Sequence, residues 1–162
     1  MKKILAVILA TLMLTLAIVP AVHAEEIAAT VETYETNSTI EYFEDGSYMV
    51  TTIKESPTAR SRVYIKVGEK TVDLYNSDDV LQWTYKLIGK FKVVDGATVA
   101  CTESSYTSDI YVDAWSLTAH NNYISNNMAY GTATYKKKVL FITTSTQDIE
   151  GSIACDVYGN IR

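Results

Sequence analysis

Proline, histidine and cysteine are each present only twice in the 162 residues, and glycine seven times. So little proline and glycine argues against a low-complexity or collagen-like chain. The two histidines, His23 and His120, are too few for a histidine-rich metal centre. Clustered cysteine–histidine zinc spacing, a phosphate-binding glycine loop and a glycine-x-serine-x-glycine nucleophile elbow are all missing, so the sequence points to no catalytic residue, no metal and no cofactor. Helical periodicity is also absent after the first two dozen residues, which argues against a helix bundle.

Those first residues, "MKKILAVILATLMLTLAIVPAVHAEE", place two lysines before an apolar run from Ile4 to Val19 and a small-residue Val-His-Ala site. This is the pattern of a secretory signal peptide cleaved after Ala24. The run is shorter than the roughly 20 residues of a membrane span. The ending "CDVYGNIR" has neither an apolar tail nor a sorting motif. The expectation is a secreted protein without a stable membrane anchor: residues 1–24 the signal, 25–37 a mobile acidic lead-in or edge strand, and 38–162 a single β domain.

After cleavage the chain holds 12 basic against 19 acidic residues. A net acidic surface repels phosphate backbones and anionic membranes, so nucleic acid is not an expected partner. The one basic cluster, Lys136-Lys137-Lys138, reads as a solvated edge or turn at the start of a strand with near-continuous apolar character at Val139–Ile142.

From residue 38 the chain is punctuated by turn signals at "EDGS", "SPTARS", Gly68-Glu69, "NSDD", Asp95-Gly96, "AHNNY", "SNN" and "DIEG". β-Branched and aromatic residues dominate between them. The most regular stretch is "VLQWTYKLIGKFKVVDGATVAC", residues 80–101. Leu81, Trp83, Tyr85, Leu87, Phe91 and Val93 share one parity, and Gln82, Thr84, Lys86, Lys90 and Lys92 the other. A period of two predicts one buried face and one wet face. Drawn straight, residues 81–93 would span roughly 40 Å at about 3.3 Å per residue, longer than a chain of this size is wide (roughly 37 Å). Gly89 is the expected bulge or bend, where the strand could cross between sheets. "RVYIKV" predicts Val63, Ile65 and Val67 inward, with Arg62, Tyr64 and Lys66 outward. The fold class is therefore all-β, an antiparallel sandwich or partly open barrel of nine or ten short strands.

Cys101 and Cys155, an even pair in an exported domain, predict a disulfide. The order Cys101, Trp115, Cys155 invites comparison with immunoglobulin domains. However, Ile153 stands where a tyrosine corner needs tyrosine, and only seven residues follow Cys155, so a generic sandwich is preferred. "VLQWTYKLIGKFKVVDGATVAC", "SSYTSDIYVDAW" and "CDVYGN" together resemble a layout in uncharacterised small secreted proteins of Gram-positive bacteria, over about residues 62–160. The resemblance implies export and a β fold, and it transfers no site residue.

Three functional classes remain. Twelve tyrosines supply flat amphipathic contact area, which suits a non-enzymatic domain binding an extracellular protein or glycan. Tyr64, Tyr111, His120 and Tyr123 are its candidate contact residues. The alternatives are a secreted toxin, bacteriocin-like effector or inhibitor, and a carboxylate-dependent glycoside hydrolase drawing on Glu41, Glu44, Asp45, Asp78 or Asp79.

Overall fold

Alternating apolar and polar residues, and almost no helix-favouring periods, leave the chain one way to bury its apolar parity: sheet against sheet. In the computed structural model, which describes residues 33–58 and 61–162, eight strands form two antiparallel sheets. β1 (Tyr34–Tyr42), β2 (Tyr48–Glu55), β3 (Val63–Tyr75), β4 (Leu81–Val94) and β5 (Thr98–Ile110) form a five-stranded meander. β6 (Trp115–Ser125), β7 (Met128–Val139) and β8 (Ile142–Ala154) form a three-stranded one. The two sheets pack face to face as an open sandwich and do not close into a barrel. The expected signal peptide, residues 1–24, and most of the expected acidic lead-in lie outside the described residues. The last residues of that lead-in belong to β1, an edge strand.

The core is built by β4 against β7. Trp83, Tyr85, Leu87, Phe91 and Val93 of β4 are all buried. Opposite them β7 offers Ala129, Gly131 and Ala133, then Tyr135. The Tyr135 ring stacks on Trp83 at 4.1 Å with the planes 2° apart, and Trp115 meets Trp83 edge-on at 6.3 Å. A Cβ added to Gly131 would overlap the Tyr85 hydroxyl and lie 2.8 Å from Leu87. Large side chains on one sheet thus occupy space vacated by small ones on the other, the alternation that close packing requires.

Several expectations change. The strands are fewer and longer because Gly68-Glu69, "AHNNY" and "DIEG" are not turns but lie inside β3, β6 and β8. Gly68 pairs with Gly89 across β3 and β4, and a Cβ there would lie 2.8 Å from Ile153 and 3.1 Å from Ile161. It is a glycine of close approach, not of a bend. With no turn at Gly68, one parity continues along β3, and its inward set is Tyr64 and Lys66 followed by Val72 and Leu74; Val67 is buried as expected, while Val63 and Ile65 are exposed. β4 likewise continues through Gly89 within one sheet, and the nearby bulge belongs to β5, where Thr102 is the extra residue between Cys101 and Glu103. A second bulge, at Gln82, reverses the parity at the start of β4, burying Gln82 and leaving Leu81 only partly covered. Finally, Val139–Ile142 is not the apolar middle of a strand but the tip of the β7–β8 hairpin.

After β8, Cys155 and Ile161 bridge back on each other. Asp156 closes this terminal loop: Oδ1 accepts the amides of Tyr158 (2.9 Å) and Asn160 (3.0 Å), and Oδ2 accepts from the Asn160 side chain (2.8 Å) and Arg162 (3.3 Å). Burial acts to raise the Asp156 pKa. The Asn160 and Tyr158 hydrogen bonds, with Arg162, outweigh it and bring the carboxyl down to about 2.

Two outcomes follow from this packing. Gly68→Ala, harmless in a turn, is expected here to cost about 1–3 kcal/mol because Ile153 and Ile161 must shift; urea denaturation measures it. Asp156, whose folded pKa is depressed, contributes stability above its unfolded value near pH 4 that is lost as the pH falls through 2. At a partly exposed carboxylate this amounts to about 1 kcal/mol. Asp156→Asn should lower neutral-pH stability by that amount and flatten the acid limb of the stability–pH curve.

Candidate functional site

At one end of the sandwich the β1–β2 and β3–β4 turns of the larger sheet meet the β7–β8 strands of the smaller one. Between them lies a pocket of about 220 Å³. The "EDGS" turn is held by Asp45, whose Oδ1 accepts both the amide and the hydroxyl of Ser47, with Gly46 at φ 81°. In "NSDD", Asn76 Oδ1 accepts the amides of Asp78 (3.0 Å) and Val80 (2.8 Å). The two turns touch where Gly46 faces Ser77. The bulged Gln82 is anchored beneath them: its Nε2 donates to Val80 O (2.8 Å) and its Oε1 accepts from Trp115 Nε1 (3.2 Å). Lys137 stands 5.9 Å over the Trp115 ring.

The lining therefore pairs an apolar floor, Leu74 and Trp115, with hydroxyls of Ser47, Ser77 and Ser145, amides of Asn76 and Gln147, and the charges of Asp45 and Lys137. Asp45 is its single carboxylate. Hydrogen bonds from the Ser47 side chain and backbone, with the Lys137 charge, hold the Asp45 carboxyl below the ordinary aspartate range. That makes it an acceptor and not a general acid, and a second carboxylate for glycoside hydrolysis does not line this pocket. Among the described residues no three of His, Cys, Asp and Glu gather as metal ligands.

A row of tyrosines runs from the pocket rim across the outer face of the larger sheet. Tyr42 and Tyr48 are cross-strand partners, as are Tyr48 and Tyr75. Their ring centroids lie 5.5 and 5.0 Å apart, the second pair nearly parallel. Tyr75 also lines the pocket, and Tyr48 donates to Asp79 Oδ1 (3.0 Å). Tyr42, at the edge, is 72 % exposed. Tyr111 follows β5, its amide donating to Gln82 O (3.0 Å), and is near enough to Tyr75 to raise the latter's pKa, after the larger effects of burial and Asp73.

The four expected contact residues do not converge. Tyr111 is exposed beside the row. Tyr64 is buried at 8 % exposure and donates to Tyr158 O (3.1 Å), because β3 turns its parity inward. His120 lies at the seam between the sheets, 4.4 Å from the Tyr106 ring. Tyr123 is exposed on the other sheet, stacked on Tyr130 at 4.8 Å. Tyr42, Tyr48, Tyr75, Gln82 and Lys137 were not foreseen. Of these, the Tyr42–Tyr48 pair was available, since a hairpin around "EDGS" places those residues opposite one another.

Lys66, expected outside, is 1 % exposed. Its ammonium donates to Ser56 O and Thr58 Oγ1 (3.3 Å) and pairs with Glu55 Oε2 at 3.1 Å, so all three protons have partners. This is a structural ion pair, not a base in reserve. Neighbouring Cys155 and Cys101 are buried thiols not bonded to each other, contrary to the expected disulfide. They flank the β6–β7 turn, whose Asn126 and Asn127 carbonyls accept the two cysteine amides, and each sulfur faces a backbone carbonyl of its own, Glu103 O for Cys101 and Asp156 O for Cys155. Burial, then the Asp156 charge, pushes the Cys155 thiol up to about 12, and burial also raises Cys101. Neither is a poised nucleophile.

Denatured without reductant, the protein should label at both thiols, while the folded protein should resist the same alkylating reagent; a mass deficit of two hydrogens with no labelling would contradict the structure. Comparison of the chain with protein-family models, with curated proteins and with solved structures returned no match.

Proposed function

We propose that this chain is a secreted, non-enzymatic β domain that binds a glycan outside the cell. The observation that carries the reading is the continuity between the polar pocket and the tyrosine row through Tyr75. Sugars present hydroxyls at the ring edge and C–H groups on the ring face. The pocket answers the first with serine, asparagine, glutamine, aspartate and lysine side chains, and Tyr42, exposed at the end of the stacked row, answers the second with π surface. Export rests on the N-terminal charged and apolar pattern.

Soluble oligosaccharides and cell-wall polysaccharides, screened on an array and then titrated calorimetrically, test the proposal. At least one glycan class should bind. Tyr42→Ala combined with Gln147→Ala should weaken it by about tenfold or more, the scale of one lost anchoring contact, while leaving the melting temperature within a few degrees. An array without hits, or a hit indifferent to both positions, would refute it.

A further inference from the structure

The β7–β8 hairpin ends in four consecutive apolar residues that nothing covers. Leu140 and Phe141 are 85 % and 99 % exposed, and Val139 and Ile142 beside them are at least half exposed. Val139 and Ile142 are the last paired residues, so Leu140-Phe141 is the two-residue turn itself. Both have left-handed backbones, φ 48° and 70°. Such turns favour Asn-Gly, and bulky side chains there are strained. Two large apolar residues thus occupy the positions where they cost most and bury nothing, a combination that folding alone does not explain.

The charge around this tip is as unusual as its apolarity. Lys136, Lys137 and Lys138 lead directly into it. Strand alternation sends Lys136 and Lys138 to the outer face of β7 and Lys137 to the pocket side, over Trp115. In a chain with 19 acidic residues, neither Asp nor Glu occurs between Asp113 and Asp148. Among the described residues none of these lysines forms an ion pair, and Asp45 acts on Lys137 from the pocket wall. Beyond the Lys137–Ser145 rung the hairpin extends three residues, roughly 10 Å at about 3.4 Å per residue. That matches the roughly 5–10 Å to which interfacial elements sink into the headgroup–acyl boundary.

We propose that the β7–β8 tip is a membrane-docking finger: Val139, Leu140, Phe141 and Ile142 enter the interfacial layer of an anionic bilayer while Lys136 and Lys138 meet its lipid phosphates. The occupant follows from shape and charge. A convex apolar tip has no groove of its own, a fluid interface adapts to it, and Lys136 and Lys138, leading into the tip, suit a plane of anionic headgroups. This site is separate from the glycan pocket, and either can hold without the other.

Phe141→Trp places a reporter at the tip, away from the buried Trp83 and Trp115. With vesicles of mixed phosphatidylcholine and phosphatidylglycerol its emission should shift to the blue and be quenched by brominated acyl chains. Phosphatidylcholine alone should give a smaller response, and added salt should weaken binding to the mixed vesicles. Leu140→Asn with Phe141→Gly, which suits the turn and removes the apolar tip, should fold with a raised melting temperature and float with mixed vesicles at least about tenfold less than the parent. Lys136→Gln with Lys138→Gln should abolish the preference for phosphatidylglycerol. The proposal is overturned if the Phe141→Trp protein shows neither shift nor quenching, if the Asn-Gly variant floats as the parent does, or if the tip instead mediates self-association that this variant abolishes without any vesicle binding.

Discussion

The packing of β4 on β7 is the contact on which the other features depend. Trp83, Tyr85, Leu87, Phe91 and Val93 project from one strand, and the facing strand accommodates them only because it carries Ala129, Gly131 and Ala133. Each sheet alone is a meander that would leave one apolar face in water. Together they bury a continuous core in which Tyr135 stacks on Trp83 and Trp115 closes the end. The burial of each such aromatic contributes on the order of 2–3 kcal/mol, so losing the fit would release both sheets.

The candidate site is a consequence of where that core stops. Past Trp83 the bulge at Gln82 reverses the strand's parity and swings an amide, rather than Leu81, under the turns. Trp115 caps the core from the other sheet, and Lys137 and Ser145 stand above it, so a polar pocket forms at the point where the apolar parity ends. The same register aligns Tyr42, Tyr48 and Tyr75 on the opposite face. These polar and aromatic groups thus stand on strands and on tight, hydrogen-bonded hairpin turns, an arrangement that suits the proposed binding at low entropic cost.

The sequence made β4 legible because each of its residues votes for the same face, and Trp83 through Val93 lie where the alternation puts them. β3 is less legible because Gly68 resembles a turn when seen alone. Only the facing Ile153 and Ile161 reveal why no side chain fits there, and breaking the strand at Gly68 reversed the face given to Tyr64 and Lys66. The apolar run Val139–Ile142 looked like a strand interior, since hydrophobicity does not say whether a partner exists. The tyrosine row was hidden for a different reason: Tyr75 is 27 residues from Tyr48, and register, not local pattern, brings them together.

The most direct test of the β4–β7 fit is the folding free energy of Gly131→Ala, measured alone and combined with Tyr85→Phe. The added methyl overlaps the Tyr85 hydroxyl, so the single change should cost about 1–3 kcal/mol, and removing that hydroxyl should restore part of the loss, giving a coupling of about 0.5 kcal/mol or more. A tolerated Gly131→Ala, or strictly additive effects of the two changes, would contradict the account.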